Sequence, residues 1–461
     1  MDLIDMTSHT SITAHYLTRY QQLAENGDAA GCLPVTGAQR RFLLARHLAG
    51  GRPDLVPLFF SFPRSSIDTQ RLARAASHLA TIHPVLRTRA TVRHGTPLLC
   101  LEDSPTVPVV RVIPGPAQTM AEALGGALAR WQTNGPPLRL LLVEDIVNTA
   151  EVLAIVLDHA ACDEQSLGQI LSDLTAAYHG GLGPEDSVVS SVAEYRDSVL
   201  TQLEVEQRAS GTRAVGYWTR RLDGVRPGAR ISRQDDQLVG SIRHQFPITN
   251  NRRATTFPAV LAAAVAAAQV THGPDTVPLL GYPWGGRPAA APPVLGCFLN
   301  TVVYPARTVD PATTAEIWWD DLDHADTPFD EVARAGRAAG TPLTGSFDGL
   351  LTFEDLTDRP LLELGGITGR EIHIDERPIP APFVISVSYA TDLVVRMAWD
   401  RCAIADNLAH EAFAALLATL QPHTGSPSSP SDVARNAVLV GASCHDGSDP
   451  APLPLFPPRK D

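Results

Sequence analysis

The run Val156-Leu157-Asp158-His159-Ala160-Ala161-Cys162-Asp163-Glu164 carries the chain's best candidates for chemistry. Its apolar start reads as a strand, and a helix is expected from about Asp163. A histidine at that junction projects into a cleft while the strand holds it rigid. Neutral imidazole accepts a proton near neutral pH, so His159 is a candidate general base. Asp163 follows where it can cap the helix, or pair with a cation and fix the histidine loop. The plainer readings are a structural histidine beside an apolar strand and an aspartate that only caps. His159, Cys162, Asp163 and Glu164 are also metal-ligand types, but no second His/Cys cluster with ligand spacing accompanies them, and no metal is expected. No GxSxG elbow, Walker loop or strand-borne GxGxxG is present, which weighs against hydrolase, NTPase and dinucleotide readings. Gly345-Ser346-Phe347-Asp348-Gly349 misplaces the serine of an elbow, and Gly281–Arg287 lacks a phosphate-loop lysine.

The scaffold around this run is that of an ordinary globular protein. The chain has 461 residues, 44% hydrophobic and 19% charged, enough for two or three domains and a sizeable core without staples. The formal net charge of -13, from 37 basic against 50 acidic residues, argues against a nucleic-acid or anionic-membrane binder. No apolar run is long enough for a membrane span, and the acidic N-terminus Met1-Asp2-Leu3-Ile4-Asp5 is unlike a signal peptide. The six cysteines form no CxxC pair and no disulfide framework, so a reducing, cytoplasmic setting is expected.

Periodicity then places the elements. Helices are expected over 14–24, 38–47 with Thr36 as N-cap, 68–82 and 118–132; strands over 58–62, 86–93, 97–101, 138–143 and 151–157. The clearest amphipathic helix covers 163–178, with Leu167, Ile170, Leu171, Leu174 and Tyr178 on one face. A long helix over 191–222 bridges two halves. The second half, from about 242 to 421, shows an alanine-rich helix at 257–270, strands near 277–282 and 298–304, a strand pair near 383–399 and a closing helix at 407–420. This yields an N-terminal extension (1–30), an N-terminal lobe (31–190), the bridge (191–225), a C-terminal lobe (226–421) and a Pro/Ser-rich tail (422–461). Strands and helices mixed in both halves indicate an α/β (α+β, two-layer) fold class.

Several motifs in series resemble those of the condensation domains of nonribosomal peptide synthesis, within the chloramphenicol-acetyltransferase-like acyltransferases. Asp158–Glu164 resembles HHxxxDG. Leu33-Pro34-Val35-Thr36-Gly37-Ala38-Gln39 resembles LPLTPAQ, and His83-Pro84-Val85-Leu86-Arg87-Thr88-Arg89 resembles RHPALRTR. Tyr217-Trp218, Gly281-Tyr282-Pro283 through Gly286-Arg287-Pro288, Leu295–Thr301 and His324–Asp330 resemble the later family motifs in order.

The resemblance implies two chloramphenicol-acetyltransferase-like lobes in a V around a central tunnel. It implies a freestanding enzyme with no cofactor of its own. The acyl or aminoacyl donor would arrive as a phosphopantetheine thioester on a carrier protein in trans, and a small amine or alcohol acceptor would enter opposite. His159 takes the place of the catalytic histidine. Asp163 takes that of the structural aspartate, expected to pair with Arg287, and Asn300 and the Gly281–Gly286 loop would line the tunnel. Two residues depart from the pattern. Asp158 replaces the first histidine, where a carboxylate facing the ring would raise the pKa of His159. Glu164 replaces the motif glycine, where it can favour the helix N-terminus or receive a cationic acceptor. Acidic carrier proteins suggest a local arginine patch, with Arg40, Arg41, Arg46, Arg220 and Arg221 as candidates. The competing readings are a catalytically silent recruitment module and an acyl-coenzyme A-dependent acyltransferase.

Overall fold

The computed structural model describes residues 10–424, apart from 49–53, 104–105, 117, 131–134, 181–186, 226–237, 248–252, 274, 289–290, 342, 344–346 and 376–377. The expected tail therefore lies mostly outside the described residues, whereas the extension is described from residue 10 and holds its expected helix as Ile12–Glu25.

The N-terminal half is built on a five-stranded sheet in the order Arg370–Ile372, Leu55–Pro63, Ala150–Asp158, Leu138–Asp145, Val109–Val112. Ala150–Asp158 is buried along its whole length. Its continuous apolar run suits a strand covered on both faces. Leu153, Ile155 and Leu157 enter one core with Leu72, Leu79, Ile170 and Leu171, whereas Val152, Ala154 and Val156 face a second with Ala123 and Leu124. This strand is what carries the Asp158–Glu164 run into the middle of the molecule.

The C-terminal half has a six-stranded sheet in the order Leu299–Pro305, Leu279–Gly285, Gly349–Asp355, Phe383–Tyr389, Asp392–Asp400, Val239–Pro247. Helices Arg253–His272 and Asp406–Thr424 belong to the same core. Ala259–Ala268 is buried without interruption, so the helix shows no amphipathic stripe.

Three features differ from expectation. The bridge is two helices, Ser187–Ala209 and Thr212–Leu222, rather than one. The break falls at Ser210-Gly211: the Ser210 hydroxyl donates back to the Glu206 carbonyl (2.6 Å), and the Ala209 carbonyl accepts from Thr327 Oγ1 (3.0 Å) instead of continuing the helix. Second, Arg370–Ile372, from the C-terminal half, completes the N-terminal sheet by pairing with Phe59–Ser61. Third, Cys32 and Cys100 face each other in register on neighbouring strands and form a disulfide, where none was expected from their spacing.

Candidate functional site

The site starts where the buried strand ends. Asp158 Oδ1 accepts from the Ala160 N–H (3.0 Å), turning the chain into a short 3-10 turn over His159–Ala161. Asp163 then caps the helix Glu164–His179 by accepting from Ser166 N (3.0 Å) and Ser166 Oγ (2.8 Å). His159 is thus fixed between two caps. Its backbone N–H donates to the Asp54 carbonyl (2.9 Å), and its ring stacks on Phe42, centroids 4.1 Å apart at 20°. Nδ1 is sealed from solvent without a hydrogen-bond partner, while the residue as a whole is half-buried. Burial lowers the imidazole pKa, only partly countered by its own carbonyl and Asp54, so the ring is neutral at neutral pH.

Asp158 does not govern the ring. Its carboxylate pairs with Arg46 on the helix Gly37–Leu48. Its attraction for a protonated His159 is the weakest influence on that ring, and burial prevails over it. The expected upward push on His159 is therefore outweighed.

Asp163 and Arg287 meet across the halves. A single nitrogen, Arg287 Nη1, lies 3.2 Å from Oδ1 and 3.1 Å from Oδ2, rather than forming the two-pronged fork. The other guanidinium nitrogens are used elsewhere: Nε donates to the Val294 carbonyl (2.6 Å), and Nη2 to Ser166 Oγ (2.9 Å) and the Gly296 carbonyl (3.1 Å). Asp163 Oδ2 also accepts from Phe298 N (2.9 Å), and the guanidinium lies over the Phe298 ring at 4.6 Å. The clasp is a network, with Asp163 fully enclosed. Gly286 makes room for it: its φ is +149°, and a Cβ there would lie 2.4 Å from Gln165 Nε2, whose amide oxygen accepts from Arg287 (3.1 Å).

Glu164 reaches the other half too. Its carboxylate accepts from the Asp355 N–H (3.0 Å), so it does more than sit at a helix N-terminus. Asn300 holds the turn before the helix Phe329–Ala338. Its amide donates to the Ala325 (2.8 Å) and Thr327 (2.6 Å) carbonyls, and its oxygen accepts from Phe329 N (3.2 Å). Asn300 and Gly286 line a small pocket together with Gln202, Glu206, Trp284 and Phe298; His159 is not in its wall. Burial pushes Glu206 up to about 7, against the pull of Arg40 at 3.6 Å.

The expected arginine patch is mostly interior. Arg40 binds Asp330 and Glu206, Arg46 binds Asp158, Arg221 binds the buried Asp321, and Arg41 lies between the halves; Arg220 is the exposed member. Conversely, sequence reasoning missed Gln39, which donates to the Ala160 carbonyl (2.8 Å) behind His159, and Ser166, at the centre of the clasp. Ser166 had a readable signal, a serine placed to reciprocate the Asp163 cap. No group of His, Cys, Asp and Glu suited to a metal occurs among the described residues.

Residues 29–359 match the Condensation domain family, well over half of the chain. The chain belongs to the condensation-domain family. Tyrocidine synthase 2 of Brevibacillus parabrevis is 22% identical over 329 residues, 65% of this chain but 9% of that one, so the chain spans a small part of this relative. In structure it is similar to the EpoB nonribosomal peptide synthetase cyclization-docking bidomain from Sorangium cellulosum, with TM-score 0.65, 18% identity, and 90% and 92% of the two chains covered. It is also similar to the first condensation domain of the calcium-dependent antibiotic synthetase in complex with a substrate analogue, with TM-score 0.62, 17% identity, and 87% and 98% covered. The chloramphenicol-acetyltransferase-like fold implied by the motifs is therefore the fold of this condensation domain. Its two departures from the family motif each have a local partner, Asp158 in Arg46 and Glu164 in the Asp355 amide.

Proposed function

We propose that this condensation domain transfers an acyl or aminoacyl group from the phosphopantetheine thioester of a carrier protein to an amine, or an alcohol, forming an amide or ester in natural-product biosynthesis. The observation that supports it most is His159: neutral by burial, stacked on Phe42, and with Nδ1 sealed off, so that Nε2 is the nitrogen the scheme uses. With an amine acceptor, nitrogen attacks the thioester carbon and hands a proton to Nε2. The C–N bond forms, the C–S bond breaks, and the departing thiolate takes the proton back from the imidazolium. His159 is the catalytic residue of this scheme. Asp163, Arg287 and Gln39 are positioning residues, holding the turn that presents the ring.

Intact-protein mass spectrometry of an acyl-loaded carrier protein tests the donor. The acyl mass should leave the carrier when this protein and an amine acceptor are added. A carrier that stays loaded, with turnover of the acyl-coenzyme A thioester instead, would replace the carrier donor by coenzyme A. No turnover of either would leave the recruitment reading in its place.

A further inference from the structure

Arg41 is out of keeping with its neighbours. Arg40, Arg46, Arg221 and Arg287 each have a carboxylate within 4.0 Å, whereas Arg41 has none among the described residues. Its polar partner is Thr301, whose Oγ1 accepts from Nη1 at 2.8 Å. Three rings enclose it otherwise: Phe42 and Phe329 at 5.1 Å and Phe347 at 5.4 Å. Thr301, Phe329 and Phe347 come from the C-terminal half and Arg41 from the N-terminal half, so the guanidinium lies where the halves meet. A half-buried guanidinium without a counter-anion is unfavourable, and ring faces offset only part of that cost. Burial accordingly disfavours its charge, with Asp54 acting against this from beyond ion-pair range.

The position relative to His159 narrows the missing anion. Phe42 is shared: the guanidinium is 5.1 Å from its ring, and that ring is 4.1 Å from the imidazole. The cation and the base are thus separated by no more than these two steps. A short amino acid is long enough to bridge that gap, with its carboxylate on the guanidinium fork and its amine toward Nε2. A phosphopantetheine phosphate is a poor fit, because a long arm separates it from its thioester. With the phosphate on Arg41, the reacting carbon would be held away from His159. An acceptor bound to a carrier as a thioester has no carboxylate to offer.

We propose that Arg41 binds the free carboxylate of the acceptor, so that the acceptor is an untethered amino acid. This rests on His159 being the site of attack. It names the acceptor class for that site.

Isothermal titration calorimetry tests it, using a panel of free amino acids with their matching carboxamides, and phosphopantetheine as the phosphate probe. Wild-type protein should bind at least one amino acid at least tenfold more tightly than its carboxamide. Arg41→Gln should lose that preference, Arg41→Lys should keep part of it, and His159→Ala should keep all of it. Should Arg41→Gln fail to fold by circular dichroism, Arg41→Lys serves, with a reduced preference expected because the fork is lost. Equal binding of acid and amide, no binding by any member of the panel, an unchanged preference in a folded Arg41 variant, or an Arg41 dependence confined to phosphopantetheine would each overturn the proposal. Preserved carboxylate preference with full acyl transfer by His159→Ala would instead overturn the catalytic role of His159 and leave the Arg41 site standing.

Discussion

At the scale of the residue, the behaviour of His159 is set by burial more than by its charged neighbour. Asp158 is spent on Arg46 and on the Ala160 amide, so it steadies the turn rather than charging the ring. A lowered imidazole pKa has a sign that can be measured. The base must be neutral to accept a proton, and it loses that form only as pH falls through its lowered value. The acid limb of kcat/KM should therefore have its midpoint below the ordinary imidazole value of about 6.5. A pH–rate profile with a midpoint above that value would contradict the placement of the ring. Glu164 gives a second prediction at this scale. Glu164→Gly orphans the Asp355 amide, and should destabilise the protein by about 1–3 kcal/mol while leaving acceptor affinity unchanged. Denaturant titration reads the first effect and calorimetry the second; an unaltered stability with a changed acceptor affinity would restore Glu164 as a substrate residue.

At the scale of the element, the clasp joins the helix Glu164–His179 to the loop after the strand Leu279–Gly285. The enclosed carboxylate accepts from Ser166, Phe298 and Arg287 together. Arg287→Ala should cost about 3–5 kcal/mol, because Asp163 is left buried without its cation. Adding Asp163→Asn should recover part of that loss. A second variant no more stable than Arg287→Ala alone would show that the charge pair is not what the arginine supplies. Glu206, on the bridge helix, predicts a pH dependence of folding. Its folded pKa of about 7 lies above its ordinary 4.5, so the folded protein holds a proton that the unfolded chain releases. Its contribution is fully present below 4.5 and is lost as pH rises to about 7. The stability of wild type relative to Glu206→Gln should fall across that window; a constant difference would contradict it.

At the scale of the molecule, the two halves share structure. Arg370–Ile372 supplies an edge strand to the N-terminal sheet, and Leu295 and Phe298 pack into the N-terminal core. Calorimetry should show one cooperative transition, and two separated transitions would mean that the halves fold independently. The sequence made much of this legible. The Glu164–His179 helix was readable because an aspartate cap precedes a regular apolar stripe. The buried strand Ala150–Asp158 was readable as an unbroken apolar run. What escaped is what period cannot encode. A three-residue strand such as Arg370–Ile372 is too short to show alternation. The bridge breaks at Ser210-Gly211 through a side-chain bond and a contact from Thr327, remote in sequence. The Cys32–Cys100 pair, 68 residues apart, becomes adjacent only through strand register. Arginines read as a docking patch turn inward because their carboxylates lie far along the chain, as with Arg40 and Asp330.

The central claim is that the His159 imidazole moves the proton during acyl transfer between the halves. Single-turnover consumption of an acyl-loaded carrier protein, followed by intact mass in the presence of an amine acceptor, tests it directly. Wild type should clear the acyl group about 10²–10⁴ times faster than a folded His159→Ala variant. Equal rates for the two proteins would contradict it.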